Sequence, residues 1–362
     1  MKKVKIIMGM MVISILTFSV FAYGERFPLC IDSAHQDQPA IYENIVVWRD
    51  YRNDDGDIYG YDLMNSSEFF IPASPGYQWH PAIYKNVVVW EYWTNNDNSL
   101  PAYLHPEDID DIELYSDIYG YDLETNTEFL VCTASGDQYN PAVYGDIVVW
   151  QDERNEDCDI YGYDLKTKTE FPICIDLNNR YDQYYPAIYG NIVVWQDERN
   201  GNWDIYGYDL ITKREFPLCT APGDQWTPMI YGNIVIWADE RNGNLDIYGY
   251  DLSHHIEITV SANLSTQRDP AIYGNIVIWT DDRNGNWDIY GYDLETQTEF
   301  PICTDPDTQW NPKICGTTVI WHDWRDIYGT MLEKTLVKEI FDTLVLLRLI
   351  MIRVESLLPS IL

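Results

Sequence analysis

One segment recurs seven times along this chain, and that repetition limits what it can fold into more than any other feature. Seven tryptophans set the register: Trp48, Trp90, Trp150, Trp195, Trp237, Trp279 and Trp321. Each follows a proline by nine residues, from Pro39 to Pro312, and the last four lie 42 residues apart. A clean copy runs from Gln225 to Leu252, QWTPMIYGNIVIWADERNGNLDIYGYDL. It divides into four short strands once the following Phe-Pro-Leu-Cys type of segment is added. Pro228–Tyr231 leads through a Gly232-Asn233 turn into Ile234–Trp237, a tight hairpin signal. The second strand is apolar on both faces, as suits a strand held between neighbouring sheets. Arg241-Asn242-Gly243-Asn244 then turns the chain into Asp246–Leu252. There Tyr248, Tyr250 and Leu252 share one face, and Ile247 and Gly249 the other. A strand glycine marks close approach by something bulky, and Trp237 is the expected neighbour of Gly249. The fourth strand, as at Phe216–Cys219, carries a proline that only an outer edge tolerates.

Four antiparallel strands in each copy of about 40–45 residues predict an all-β chain, a seven-bladed β-propeller of four-stranded blades. Nothing recurs at 3.6 residues, which excludes a helical array. The chain ends fit a closed ring. The seventh copy, Pro312 to Thr330, lacks its fourth strand, and the missing strand stands at the start as Glu25–Cys30. The N-terminal strand therefore completes the last blade. The organisation expected is a signal peptide over 1–24, the propeller over 25–330, and a C-terminal tail over 331–362, helical or irregular.

The signal peptide rests on basic Lys2, Lys3 and Lys5, an uncharged apolar run from Ile6 to Ala22, and small residues at Ala22 and Gly24. It predicts a secreted or cell-surface protein. A net charge of −35 repels phosphate backbones and argues against nucleic acid as a partner. Five of the seven cysteines, Cys30, Cys132, Cys174, Cys219 and Cys303, occupy one repeat position. Equivalent points on separate blades lie beyond the ~7 Å that a disulfide spans, so these read as small buried hydrophobes. The tail, apolar from Leu344 to Leu358 but interrupted by Arg348, Arg353 and Glu355, is too charged to span a membrane and suits surface contact at most.

The string from Pro228 to Leu252 resembles the repeats of TolB-like propellers, matching at Trp226, Pro228, Gly232, Arg241, Gly243, Asn244, Asp246, Ile247 and Tyr248. It is also similar to the multi-copy surface propellers of methanogenic archaea. The resemblance covers about residues 25–330 and implies the propeller fold. TolB itself has six blades and an extra N-terminal domain, which do not fit, so its role in the Tol complex does not carry over.

Candidate chemistry lies in two strings. In Asp197-x-Arg199-Asn200-Gly201-Asn202-x-Asp204 the spaced oxygens are those of a calcium loop, but Arg199 sits inside it and no bidentate Glu follows. A structural turn with Arg199 paired to Asp197 or Asp204 is favoured over calcium, and no cofactor or metal is assigned. The second string is Gln-aromatic-x-Pro at the start of the first strand. Trp79, Tyr139, Tyr184, Trp226 and Trp310, with Gln225 and Gln309, are the candidate ligand-binding residues. Aromatic faces stack on sugars and amides bond hydroxyls; the competing role is packing between blades. Gln267-Arg268 breaks the aromatic series in blade six. Blade two carries an acidic insert of 18 residues with Glu107, Asp108, Asp110, Asp111 and Glu113, a candidate lid. No nucleophile elbow and no unique carboxylate pair is visible, so no catalytic residue is assigned. The expected role is a binding or scaffold module for an envelope protein or polysaccharide. The alternatives are an extracellular polysaccharide lyase or glycosidase working at the channel mouth, and a structural surface-layer component.

Overall fold

The computed structural model describes residues 20–23, 25–53, 56–74, 76–95, 114–175 and 180–335. The 18 residues 96–113 of the blade-two insert, with its acidic cluster, and residues 336–362 of the tail lie outside these, as do 1–19 of the expected signal peptide.

Seven antiparallel sheets make a seven-bladed propeller, with no helix among the described residues. In blade five the strands are Gln225–Tyr231, Ile234–Asp239, Asp246–Asp251 and Ile256–Ser261, each hydrogen-bonded to the next. The first strand is innermost: the residues around its proline line a central channel in all seven blades. The ring closes as the repeat predicts. Phe27–Cys30 pairs antiparallel with Ile327–Thr335 as the outer strand of blade seven, and Val20–Tyr23 also pairs with that strand. In blade two the second and third strands lengthen to Val87–Asn95 and Leu114–Asp122 and stay in register up to Asn95 and Leu114, so the insert grows from an extended hairpin.

The core lies between the blades rather than within them. Trp237, fully buried, packs with Val194, Ile205 and Cys219 of blade four as well as with Val235 of its own. Its indole Nε1 donates to Asp239 at 2.8 Å, and Asp239 also holds the Arg241 guanidinium by Nε at 2.9 Å and Nη2 at 2.7 Å. Arg241 continues to Glu257 on the outer strand, to Cys219 Sγ of the preceding blade at 3.1 Å, and over the Tyr248 ring at 4.2 Å. The same staple recurs around Arg52, Arg154 and Arg199. Arg199 thus pairs with Asp197 and Glu215, whereas Asp204 is bonded by Asn200 and Asn202. Blade two lacks the staple: Tyr92 and Thr94 replace the Asp and Arg, and Trp90 Nε1 has no partner.

One expectation is corrected. The third-strand glycine does not lie under the second-strand tryptophan: Gly249 is closed in by the Val235 carbonyl at 2.8 Å and Ile236, and in most other blades the outer-strand phenylalanine covers the glycine. A Cβ on Gly207 would meet the Phe216 ring at 2.9 Å, and Gly60, Gly120, Gly162 and Gly291 are covered in the same way. The tryptophan is unavailable for that role because it is committed to the interface between blades. All seven cysteines are buried and free.

Candidate functional site

The innermost strand carries an irregularity that builds the site. Its ladder skips two residues, Thr227 and Pro228 in blade five, between Trp226 and Met229. Proline has no N–H to donate, so the strand bulges there. The residue before the proline takes a left-handed conformation in every blade: Gln38 (φ 52°), His80 (47°), Asn140 (48°), Tyr185 (53°), Thr227 (47°), Asp269 (52°) and Asn311 (50°). For a β-branched or bulky residue this backbone is strained, by about 1–2 kcal/mol each. All seven of these residues line the mouth of one cavity of about 560 Å³. One layer deeper stand Ala40, Ala82, Ala142, Ala187, Met229, Ala271 and, alone among them in charge, Lys313. At the far end of the strands Tyr42, Tyr84, Tyr144, Tyr189, Tyr231 and Tyr273 form an arc with neighbouring rings 4.5–4.7 Å apart, and Cys315 holds the seventh position.

A second set of varied residues backs the mouth. The position after each core tryptophan is Arg49, Glu91, Gln151, Gln196, Ala238, Thr280 and His322. On one side of the ring these side chains accept from the strained backbone of the next blade. Glu91 Oε1 takes the Asn140 N–H at 2.6 Å, Gln151 Oε1 the Tyr185 N–H at 2.8 Å, and Gln196 Oε1 the Thr227 N–H at 3.0 Å. Ahead of Asp269 stands Ala238, which offers no acceptor, and ahead of Asn311 stands Thr280, whose buried Oγ1 has no partner. The mouth is therefore knitted across blades two to five and looser at blades six and seven.

The charges are uneven too. Glu91 is buried, which alone would raise its pKa. The His80 imidazole at 2.8 Å, the Asn140 N–H and the Trp93 indole outweigh burial and hold it below the usual glutamate value. On the opposite side burial pushes Asp269 up, against Arg268 and Lys313, and pushes Lys313 down, against Asp269. Lys313 Nζ donates to Asn311 Oδ1 at 2.6 Å, and no carboxylate among the described residues lies within 4 Å of it.

The residues singled out in the sequence sit around this mouth in two ways. Gln225 and Gln309 are fully buried. Gln225 Nε2 bonds the Gly223 carbonyl at 2.8 Å, and Gln309 Nε2 bonds the Asp307 carbonyl. Their amides shape the entering loop. The aromatics are half-buried and pack against tryptophans of their own or the preceding blade: Trp79 and Tyr139 on Trp93 of the lengthened blade-two strand, Tyr184 and Trp226 on Trp203, Trp310 on Trp287. Arg268 bridges the girdle in blade six, 4.0 Å from the Trp287 ring and 4.4 Å from the Trp310 ring. Trp324, from the shortened blade-seven turn, abuts Trp310 and is 69 % exposed. Sequence reasoning passed over the mouth residues, Glu91 and Lys313. The signal was present: within a repeat, the positions that differ from copy to copy are those free to specialise.

Neither a protein-family profile nor a characterised protein sequence matches the chain. Solved structures do. The β-propeller domain of the Trilobed protease from Pyrococcus furiosus superposes with a TM-score of 0.60 at 13 % identity, over 83 % of this chain and 95 % of that one. An oligogalacturonate lyase in complex with manganese gives 0.59 at 12 %, over 88 % and 98 %. TolB from Acinetobacter baumannii gives 0.47 at 14 %, over 83 % and 79 %. At these identities the first two likenesses establish the propeller fold and nothing finer.

Proposed function

We propose that this is a non-catalytic propeller of the cell surface or exterior that binds a polysaccharide or an envelope protein at its channel mouth. One observation carries the reading. All seven copies keep the core tryptophan, and most share the turns and the outer strand, yet they present Gln38, His80, Asn140, Tyr185, Thr227, Asp269 and Asn311 at a single strained ring. A purely structural repeat has no reason to diversify there, and strained non-glycine residues gather where structure serves a ligand. Exposed Trp324 and the 44 % exposed Tyr185 offer aromatic faces beside hydroxyl-bonding amides. The N-terminal sequence supports export, and the net charge of −35 disfavours nucleic acid.

A glycan-array screen of the full chain tests this, with a Tyr185→Ala/His80→Ala variant alongside. Saccharide binding lost in a variant with an unchanged melting profile supports the mouth. Binding retained in that variant removes it. An enzyme acting on polysaccharide is the second reading, favoured by the unique contact at 2.8 Å between buried Glu91 and the partly exposed His80 imidazole. It requires chain cleavage that Glu91→Gln abolishes while binding persists.

A further inference from the structure

Lys313 occupies the one place in the channel where six of the seven blades put Ala or Met. We propose that the channel captures an aldehyde or ketone, and that Lys313 Nζ condenses with it as a reversible imine. The inference deepens the channel-mouth reading and rests on it.

Three features of the cavity support a carbonyl ligand. The first is room: the neighbours one layer below the mouth are alanines and Met229, and the space of about 560 Å³ admits a small organic molecule beside the amine. The second is the state of Nζ. It is held by one hydrogen bond to Asn311 Oδ1 at 2.6 Å and has no carboxylate in direct contact among the described residues. Burial favours the neutral amine, which is the nucleophilic form. The third is the company it keeps. Asp269 on the neighbouring blade is the charge that acts on Lys313, and the other ionisable groups lining the cavity are His80 and Tyr185. A ligand carboxylate would have to share Lys313 with Asp269, a like-charge contact in a confined space. An uncharged carbonyl meets no such repulsion.

The step balances without oxidant or reductant. The Nζ lone pair forms the C–N bond as the carbonyl π pair moves to oxygen, which gains a proton, while nitrogen loses one. The carbinolamine then expels that oxygen as water with a second proton, the nitrogen lone pair closes the C=N bond, and the nitrogen gives up its remaining proton, replacing the one spent. Amine plus carbonyl become imine plus one water. Asp269, which lines the same cavity without touching Nζ and whose carboxyl burial keeps closer to its neutral form, is the proton carrier this proposal assigns.

The test uses the full-length native protein, glyceraldehyde as the probe and cyanoborohydride as the trap at pH 7, with adducts located by peptide mass spectrometry. Each pKa unit lost to burial raises the neutral fraction of an amine about tenfold at this pH. Lys313 is therefore expected to be trapped severalfold faster than exposed Lys85, Lys166, Lys168 and Lys213, with the preference gone in urea. Lys313→Met, which places there the residue blade five carries at this position, should abolish the fast adduct and leave the melting profile unchanged. Trapping at Lys313 that is no faster than at the exposed lysines overturns the proposal, whether the cause is a charged amine or a closed channel. Unselective trapping beside intact mouth binding in Lys313→Met removes the imine alone. Selective trapping beside binding that survives Tyr185→Ala/His80→Ala removes the mouth as the binding site instead.

Discussion

Arg241→Ala should be among the most destabilising single changes in this propeller. Asp239 is completely buried, and the substitution strips it of both guanidinium bonds, at 2.9 and 2.7 Å. The Trp237 indole at 2.8 Å, the Arg241 backbone N–H at 3.0 Å and the weak Cys219 thiol contact at 3.9 Å are left to face the carboxylate. Breaking a buried pair by removing one partner costs about 3–5 kcal/mol, because the other charge stays buried. The Glu257 arm adds little, since that carboxylate is 43 % exposed and a surface pair contributes at most about 1 kcal/mol. Blade two shows the way out. With Tyr92 and Thr94 in place of the charged pair, it folds with neither partner. The double variant Asp239→Tyr/Arg241→Thr should therefore cost less than Arg241→Ala alone. The assay is equilibrium urea unfolding followed by tryptophan fluorescence, read as a double-mutant cycle with Asp239→Tyr and Arg241→Thr as the singles. A loss below about 1 kcal/mol for Arg241→Ala, or a double variant as costly as the sum of the singles, would refute the reasoning.

Gly249→Ala should destabilise more than Gly207→Ala. The new methyl meets the Val235 carbonyl oxygen at 2.8 Å, a backbone atom that cannot move aside, whereas at Gly207 it meets the Phe216 ring. Thermal melts of the pair check the order. Burial pushes the thiols of Cys30, Cys132 and Cys303 up to about 12 and that of Cys219 to about 11. Iodoacetamide at pH 8 should therefore leave the native protein unmodified and label all seven cysteines in urea, and native labelling of any one contradicts its burial. Glu91 and Asp281 are both held below their usual values against the effect of burial, by His80 and Arg283 respectively among other donors. A depressed folded pKa gives stability that is present above the unfolded value of about 4 and is lost as pH falls through the folded one. Urea midpoints should be flat from pH 6 to 8 and fall below about pH 4, with a shallower acid slope in Glu91→Gln.

The fold was readable because a propeller repeats its logic. Trp237, the Gly232-Asn233 turn, the Asp246–Leu252 strand and the displaced Phe27–Cys30 strand each recur or complete a pattern, so one interpretation had to satisfy seven copies. What repetition hides is the direction a side chain takes at an irregular residue. No spacing rule turns Thr227 or Tyr185 toward the channel; the left-handed bulge before proline does, and it appears only once the strand is paired. The girdle aromatics drew notice because they are large and periodic, yet large periodic residues are what blades need in order to pack together. The third-strand glycine was correctly read as a site of close approach, but a single sequence does not say what approaches: the outer-strand phenylalanine at Gly207, the Val235 backbone at Gly249.

The displaced outer strand also sets an order of events. Phe27–Cys30 leaves the ribosome before any of the blades that follow, yet its partner, Ile327–Gly329, comes some 300 residues later. Contacts so distant in sequence form late, because the chain between them must be ordered first. Blades one to six can each pair their own four strands locally and stack in turn, while the leading strand keeps its hydrogen-bonding edge open throughout. Such an edge is a hazard in a crowded compartment where synthesis is still under way. Delaying the whole assembly until the last blade is available removes that hazard, and a chain kept unfolded until its final residues have passed a membrane would meet the condition automatically.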